Sequence, residues 1–202
     1  MDITMRKPKK PNKQTQKTSS TMQTQRIILS GSGGQGVITA AIILAEAAVL
    51  YEDLNAVQTQ SYGPESRGGA TRADVIISDA PIYYPKVEQP NLAACLTQEA
   101  YNRYSRSIRP GGLLLTDRHY VRQDPRIDAH QVPLDMHETV MKEIGNPIVL
   151  NICMLGALIG LTVLIRPESV AHVLERRVPA EFLDMNRMAL QTGLDMVTKM
   201  TR

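Results

Sequence analysis

The chain predicts an α/β fold, a Rossmann-like open, mostly parallel sheet with helices on both faces. Short apolar runs alternate with longer helical patterns through the middle of the 202 residues, as crossover units require. The first apolar run ends in a glycine-rich loop that leads directly into a helical pattern. The core must be aliphatic, because 43% of the residues are hydrophobic while the sequence holds one Phe and no Trp.

Taken in order, residues 26–31 (RIILSG) read as a short buried strand ending in glycine. The stretch from 36 to 53 is rich in Ala and Leu and long enough for about four helical turns. Residues 55–60 can form a second strand. Residues 61–70 (SYGPESRGGA) hold three glycines and a proline and must be a loop. A third strand is expected over 71–79 and a fourth over 91–97. Residues 98–108 are helical in pattern, with Tyr101, Tyr104 and Ile108 on one face. A glycine pair then stops the helix, and 113–117 and 127–134 supply a fifth and a sixth strand. Asp135 is placed to N-cap the next helix and Gly145 to end it. Helices over 148–165, 167–176 and 179–200 complete the chain, with Pro179 at a first helical position. Gly156 and Gly160, four apart, would let the first of these approach a neighbour closely. There is no internal repeat, so residues 26–202 are expected to form a single domain.

Residues 147–165 form a nearly continuous apolar run, close to the ~20 residues of a membrane span. Asn151 and Thr162 interrupt it, and Arg166 and Pro167 end it, so a buried helix against a sheet is the better reading.

The net charge of +3 conceals two opposite parts. Residues 1–26 carry seven basic side chains against Asp2 alone, leaving the rest of the chain at −3. A nucleic-acid-binding face should persist in the folded body, and this body is acidic. Residues 1–25 read as a disordered basic tail, rich in Lys, Thr, Gln and Pro without an apolar face. A transit peptide would be Arg-rich and amphipathic, and a secretory signal would have an apolar stretch after its lysines. Cys95 and Cys153 each lie in an apolar run and are expected to be buried free thiols, which suits a cytoplasmic protein. Two cysteines so spaced cannot build a four-cysteine cluster site within the chain. His119, His130, His137 and His172 are scattered, with no metal-ligand spacing. No Ser sits in a nucleophile elbow.

Two loops carry the candidate chemistry. Gly31, Gly33 and Gly36, with Gly34 and Gln35 between them, satisfy G-x-G-x-x-G between a strand and a helix. Glycine permits positive φ and close backbone approach, and the helix start presents unpaired amides to a phosphate or carboxylate. The same glycines could instead serve tight helix–strand packing. A nicotinamide dinucleotide would want an acid at the end of the second strand, and that strand ends in QTQS. A phosphate-binding P-loop fails because no Gly-Lys-Ser/Thr follows. The second loop brings together Ser61, Tyr62, Gly63, Glu65, Ser66, Arg67, Gly68 and Gly69. Arg67 could grip a phosphate or carboxylate through its planar fork, or simply pair with Glu65. Both loops follow strands and should share one sheet edge. Asp74 and Asp79 read as strand-edge residues; Tyr83 and Tyr84 could line a partner surface, with core or rim packing the favoured reading.

Three stretches together, GSGGQGVITAAIILAEAA, QSYGPESRGGATRADVIIS and GNPIVLNICMLGALIGLT, resemble the gamma subunit, or gamma domain, of 2-oxoacid:ferredoxin oxidoreductases. The resemblance runs from residue 26 to about 197, with the 2-oxoglutarate type favoured over the pyruvate, 2-oxoisovalerate and indolepyruvate types. It implies a subunit, inactive alone, of a complex that decarboxylates a 2-oxoacid, passes electrons to ferredoxin and transfers the acyl group to coenzyme A. Thiamine diphosphate, Mg²⁺ and iron–sulfur clusters would lie on partner chains, namely alpha and beta subunits, with delta where the complex has one. Gly31, Gly33, Gly34, Gln35 and Gly36, with the loop from Ser61 to Gly69, would face coenzyme A. Asn91 departs from the Asp that such chains often carry there. A free-standing NAD(P)-binding reductase and a purely architectural subunit are the rival readings.

Overall fold

The computed structural model describes residues 23–61 and 70–200. Residues 1–22, most of the tail, lie outside them. The folded body begins slightly earlier than expected, with Thr24 bonded to Ser78 (3.1 Å between hydroxyls) and Gln25 opposite Ile77.

Among the described residues six strands form one sheet: β1 (Gln25–Ser32), β2 (Asn55–Ser61), β3 (Ala70–Ser78), β4 (Leu92–Cys95), β5 (Gly112–Asp117) and β6 (Ala129–Leu134), in the order β2-β3-β1-β4-β5-β6. The run β1-β4-β5-β6 is parallel. The strand β3 is antiparallel to both neighbours, so β2 and β3 form a hairpin. Five strands thus point one way and β3 opposes them. The departure from an all-parallel order has a local reason, since only residues 62–69 separate β2 from β3, fewer than the dozen or more that a parallel crossover needs.

Ile27, Ile28 and Leu29 of β1 are all fully buried, as a central strand covered on both faces demands. The covering is unequal. Five helices lie on one face: α1 (Val37–Tyr51), α3 (Met136–Glu143), α4 (Leu150–Thr162), α5 (Pro167–Arg177) and α6 (Ala180–Met200). Among the described residues α2 (Gln98–Tyr104), extended by a 3₁₀ turn at Ser105–Ser107, is the one helix on the other. On that side Tyr101, Tyr104 and Ile108 are buried, as their spacing predicts. The apolar run becomes a 3₁₀ turn, Pro147–Val149, followed by α4, in which every residue from Leu150 to Ile159 is buried. Among the described residues no helix is long and apolar enough to cross a membrane.

The helix α4 packs on α6 almost backbone to backbone. A Cβ on Gly156 would lie 2.2 Å from the Leu190 carbonyl oxygen, and one on Gly193 would lie 2.1 Å from that of Cys153. Gly160 sits at ordinary distance, 3.4 Å from Val197. The close approach expected of α4 is therefore made through Gly156, with Gly193 of α6 as its counterpart.

Capping differs from expectation at α3. Asp135 occupies the N-cap position and its carbonyl accepts from Thr139 N (3.0 Å), but its side chain does not cap the helix, and its carboxylate instead accepts from Arg118 Nη1 (2.9 Å). The capping acceptor comes from β5: Asp117 Oδ2 takes the His137 amide at 2.7 Å. Gly145 ends the helix at φ 79°, as expected. The polar contact of Asn91 is architectural. Its side chain accepts from Arg26 N (3.0 Å), its amide donates to the Arg26 carbonyl (2.8 Å) and its carbonyl accepts from Leu113 N (2.9 Å). These bonds stitch β1, β4 and β5 together at their amino ends.

Candidate functional site

The chain reverses direction across the sheet between β1 and β4. After β1 it passes to one face through α1, and after β4 to the other through α2. The crevice at the carboxyl ends of these two strands is where open α/β sheets place ligands. The first glycine loop lies there. Gln35 folds back over β1, its amide donating to the Ser32 carbonyl (3.3 Å) and its Oε1 accepting from Ser32 N (2.7 Å).

The glycines of this loop divide into two kinds. A Cβ on Gly31 would meet Gln35 Oε1 at 2.4 Å and Val37 and Leu96 near 3.3 Å, so Gly31 serves packing. Gly36 has φ 70°, and its Cβ would lie 2.5 Å from Asn151 Nδ2, so it too is held by the fold. Gly34, at φ 88°, faces open space, and Gly33 meets nothing nearer than Thr71 Oγ1 at 3.9 Å. Backbone is therefore bared at Gly33 and Gly34. It leads into α1, which begins at a residue without a capping side chain and holds no acid in its first turn. The leading amides of α1 keep their donor capacity and the positive end of the helix dipole.

Asn151, at the start of α4, fastens this corner. Its Nδ2 donates to the Gly36 carbonyl (3.0 Å), while its buried Oδ1 has no hydrogen-bond partner among the described residues. An unpaired buried acceptor is costly and marks a place where an incoming donor would be stabilising.

The second loop is reached only at its ends. The Ser61 backbone lies opposite Arg72, and Ala70 lies opposite Ser32, so both ends share the edge of the glycine loop. Tyr62, Gly63, Glu65, Ser66, Arg67, Gly68 and Gly69 lie outside the described residues. The hairpin also changes the dinucleotide argument. The strand beside β1 on that side is β3, which runs the wrong way, so no strand end there could offer a ribose-binding acid.

The same edge carries a cluster that the sequence reading passed over. Asp117 ends β5 fully buried, accepting from His119 N (2.9 Å) and His137 N (2.7 Å). Burial pushes its carboxyl above the usual carboxylate range, against the opposing pull of those backbone bonds and of His137. The rings of His119 and His137 stack at 4.6 Å, and Tyr120 meets both edge-on at 4.7 and 4.9 Å. His137 Nδ1 is buried without a partner among the described residues. Two of the four scattered histidines are thus brought together by β5 and α3, while His172 packs on Tyr51 in a separate place. The available signal was an Asp at the end of a parallel strand, the position from which such sheets build their sites.

Asp74 is not at an edge: it lies within β3 on the α2 side, gripped by Arg72 through Nε (2.6 Å) and Nη2 (2.8 Å). Tyr83 and Tyr84 are 90% and 57% exposed, so they pack neither in the core nor beneath the rim. Cys95 and Cys153 are free and buried, and burial pushes both thiols up to about 12. Among the described residues no three His, Cys, Asp or Glu side chains come together to hold a metal ion. The arrangement offers bared amides, an orphan acceptor and an aromatic cluster, which is equipment for binding and shaping.

Comparison with known proteins agrees with the resemblance. Residues 26–196 match the pyruvate ferredoxin/flavodoxin oxidoreductase family. The chain is 43% identical over 178 residues to the 2-oxoglutarate synthase subunit KorC of Methanocaldococcus jannaschii, covering 87% of this chain and 95% of that one. It is 36% identical over 177 residues to the KorC subunit of Archaeoglobus fulgidus, covering 87% and 89%. Its structure is similar to the gamma subunit of a keto/oxoacid ferredoxin oxidoreductase from Geobacter sulfurreducens, with a TM-score of 0.81 and 39% identity over 88% of this chain and 98% of that one. The 2-oxoglutarate:ferredoxin oxidoreductase of Magnetococcus marinus shares the fold, with a TM-score of 0.79 at 23% identity over 88% of this chain and 32% of that one. The chain therefore belongs to the pyruvate ferredoxin/flavodoxin oxidoreductase family, as a gamma-type subunit of a 2-oxoacid:ferredoxin oxidoreductase complex.

Proposed function

We propose that this chain serves a 2-oxoglutarate:ferredoxin oxidoreductase and that its carboxyl-edge loops line the place where coenzyme A meets the acyl intermediate. The observation that carries the proposal is the bared Gly33–Gly34 backbone running into an uncapped α1. The oxoacid follows from the likeness to KorC subunits.

A diphosphate-bearing ligand fits this corner. The amides of the loop and of the first turn of α1 would donate to its phosphate oxygens, and no first-turn carboxylate opposes them. Asn151 Oδ1 would accept from an amide of the pantetheine arm. Arg67, from the loop that starts and ends on the same edge, would add a charged fork. Thiamine diphosphate with Mg²⁺ supplies the decarboxylation chemistry when bound, and with the iron–sulfur clusters it would be held by alpha and beta partners, with delta where present. This chain would bind, orient and screen the coenzyme from water.

The test uses the assembled complex. Gly33→Val and Arg67→Ala should each raise the KM for coenzyme A at least about tenfold, a loss of binding worth roughly 1.4 kcal/mol, while leaving the KM for 2-oxoglutarate in place. Variants that disturb assembly alone would favour the architectural reading. Nicotinamide binding by the isolated chain would favour the reductase reading. Turnover measured across 2-oxoacids should be highest with 2-oxoglutarate.

A further inference from the structure

The loops after β1 and β5 stand level with one another. Ser30 pairs with Cys95 of β4, and Cys95 pairs with Thr116 of β5, so Gly31 and Asp117 leave the sheet at one height. One strand lies between them, which separates the two loops by about 10 Å. The start of α4 joins them: Asn151 donates to the Gly36 carbonyl, and Cys153, two residues on, feels the charge of Asp117. The aromatic cluster of His119, Tyr120 and His137 therefore stands at the far side of the corner that opens on Gly33 and Gly34.

The cluster presents a ring face outward. Its three centroids are nearly equidistant, at 4.6, 4.7 and 4.9 Å, while the two imidazoles lie within 25° of parallel. Tyr120 thus stands beside the imidazole stack and not on its end. His137 is half-buried and His119 is exposed, so the outward end of the stack is His119, with Tyr120, 38% exposed, alongside it. The backbone beneath is fixed by Asp117, which is fully buried and spends both carboxylate oxygens on the amides of His119 and His137. A desolvated carboxylate is costly, and here it holds rings that the core does not use. Stacked imidazoles aim their nitrogens along their own planes, away from any shared point, so the pair offers a flat π surface rather than a chelate.

We infer that the His119–Tyr120 surface stacks the adenine ring of the coenzyme whose diphosphate lies on the glycine loop. That role rests on the coenzyme A reading and concerns the end of the ligand that the glycine loop does not reach. A diphosphate with its attached nucleoside spans the gap between the two loops. A base fits the surface better than a further phosphate, because the adjacent cation, Arg118, is already tied to Asp135 and to the Pro133 carbonyl. Stacking asks only for a π face and no matching pattern of donors.

Calorimetry on the assembled complex, without oxoacid, gives the Kd of coenzyme A and of 4′-phosphopantetheine, which keeps the thiol arm and one phosphate but no nucleoside. His119→Ala and Tyr120→Ala should each weaken coenzyme A at least about fivefold and leave 4′-phosphopantetheine in place. His119→Phe and Tyr120→Phe should restore most of the affinity that alanine loses, since each keeps a ring and removes the polar atoms. Gly33→Val, by contrast, should weaken both ligands. If Gly33→Val weakens both while the alanine variants move neither, the coenzyme reading stands and the stacking surface falls. If Gly33→Val moves neither while the alanine variants weaken coenzyme A alone, the stacking surface stands and the phosphate cradle falls. Three further results would overturn the stacking role: an equal loss for both ligands in the alanine variants, a loss as large in the phenylalanine variants, or alanine variants that no longer co-purify with the complex, which would assign the cluster to a subunit contact.

Discussion

Replacing Gly193 by alanine tests the helix seam on which the fold rests. The added methyl would lie 2.1 Å from the Cys153 carbonyl oxygen and 2.6 Å from the Ala157 amide nitrogen, against 3.4 Å for ordinary contact. Both obstacles are backbone atoms of α4, so no side-chain rotation relieves the clash. The helices must part by roughly an ångström, and a gap of about that size forfeits a quarter to a half of the dispersion well across the rest of the seam. Overpacking of this kind costs about 1–3 kcal/mol or more. Alanine's better helix propensity returns about 1 kcal/mol. A net loss of about 2 kcal/mol corresponds to a fall of roughly 4–8 °C in Tm for a chain of this size. Gly160→Ala is the matched control. Its methyl would meet Val197 at an ordinary 3.4 Å, so propensity dominates and Tm should hold or rise. Thermal melts followed by far-ultraviolet circular dichroism, with urea midpoints at constant m, measure both. If Gly193→Ala melts at or above the parent temperature, or if both variants shift in the same direction, the account of the α4–α6 crossing fails.

Gly36→Ala should lower stability by about 1–2 kcal/mol, from its left-handed backbone and from displacing Asn151, whereas Gly33→Ala should leave Tm within about 1 °C of the parent. A Gly33 variant that melts early would mean that this position, too, is structural. Glu52 ties the end of α1 to the start of α5, accepting from Ser169 Oγ (2.5 Å), Arg166 N (3.0 Å) and Arg166 Nε (3.1 Å). Burial raises its carboxyl, but the bonds from Ser169 and Arg166 outweigh this and hold it below the usual value of 4.5. A depressed folded value contributes stability that is fully present above the unfolded pKa and is lost as pH falls through the folded one. Glu52→Gln should therefore cost about 1–3 kcal/mol at neutral pH. The deficit should shrink in acid, as urea titrations across pH 3–7 will reveal, and a deficit independent of pH would refute the linkage.

The strand and helix order was legible in the chain because burial on both faces writes itself as unbroken apolar runs such as IIL in β1. Capping and stopping residues were only partly legible. Gly145 ends α3 through its own backbone freedom, a local property. The acceptor that caps α3 comes from Asp117, twenty positions earlier, and no local pattern announces a cap supplied by another strand. The same distance hid the histidine pair: His119 and His137 are unremarkable in sequence and become neighbours only when β5 and α3 end at one corner.

Local sequence by itself determined the class of fold, the acidic body with its basic N-terminal segment, and the glycine-rich loop between the first strand and helix, since each depends on residue type at short range. Tertiary structure decided the rest. It set β3 against the direction of its neighbours, and with it removed the strand end that a dinucleotide site would need. It assigned Gly31 and Gly36 to packing while leaving Gly33 and Gly34 open, a division that identical residues cannot express in sequence.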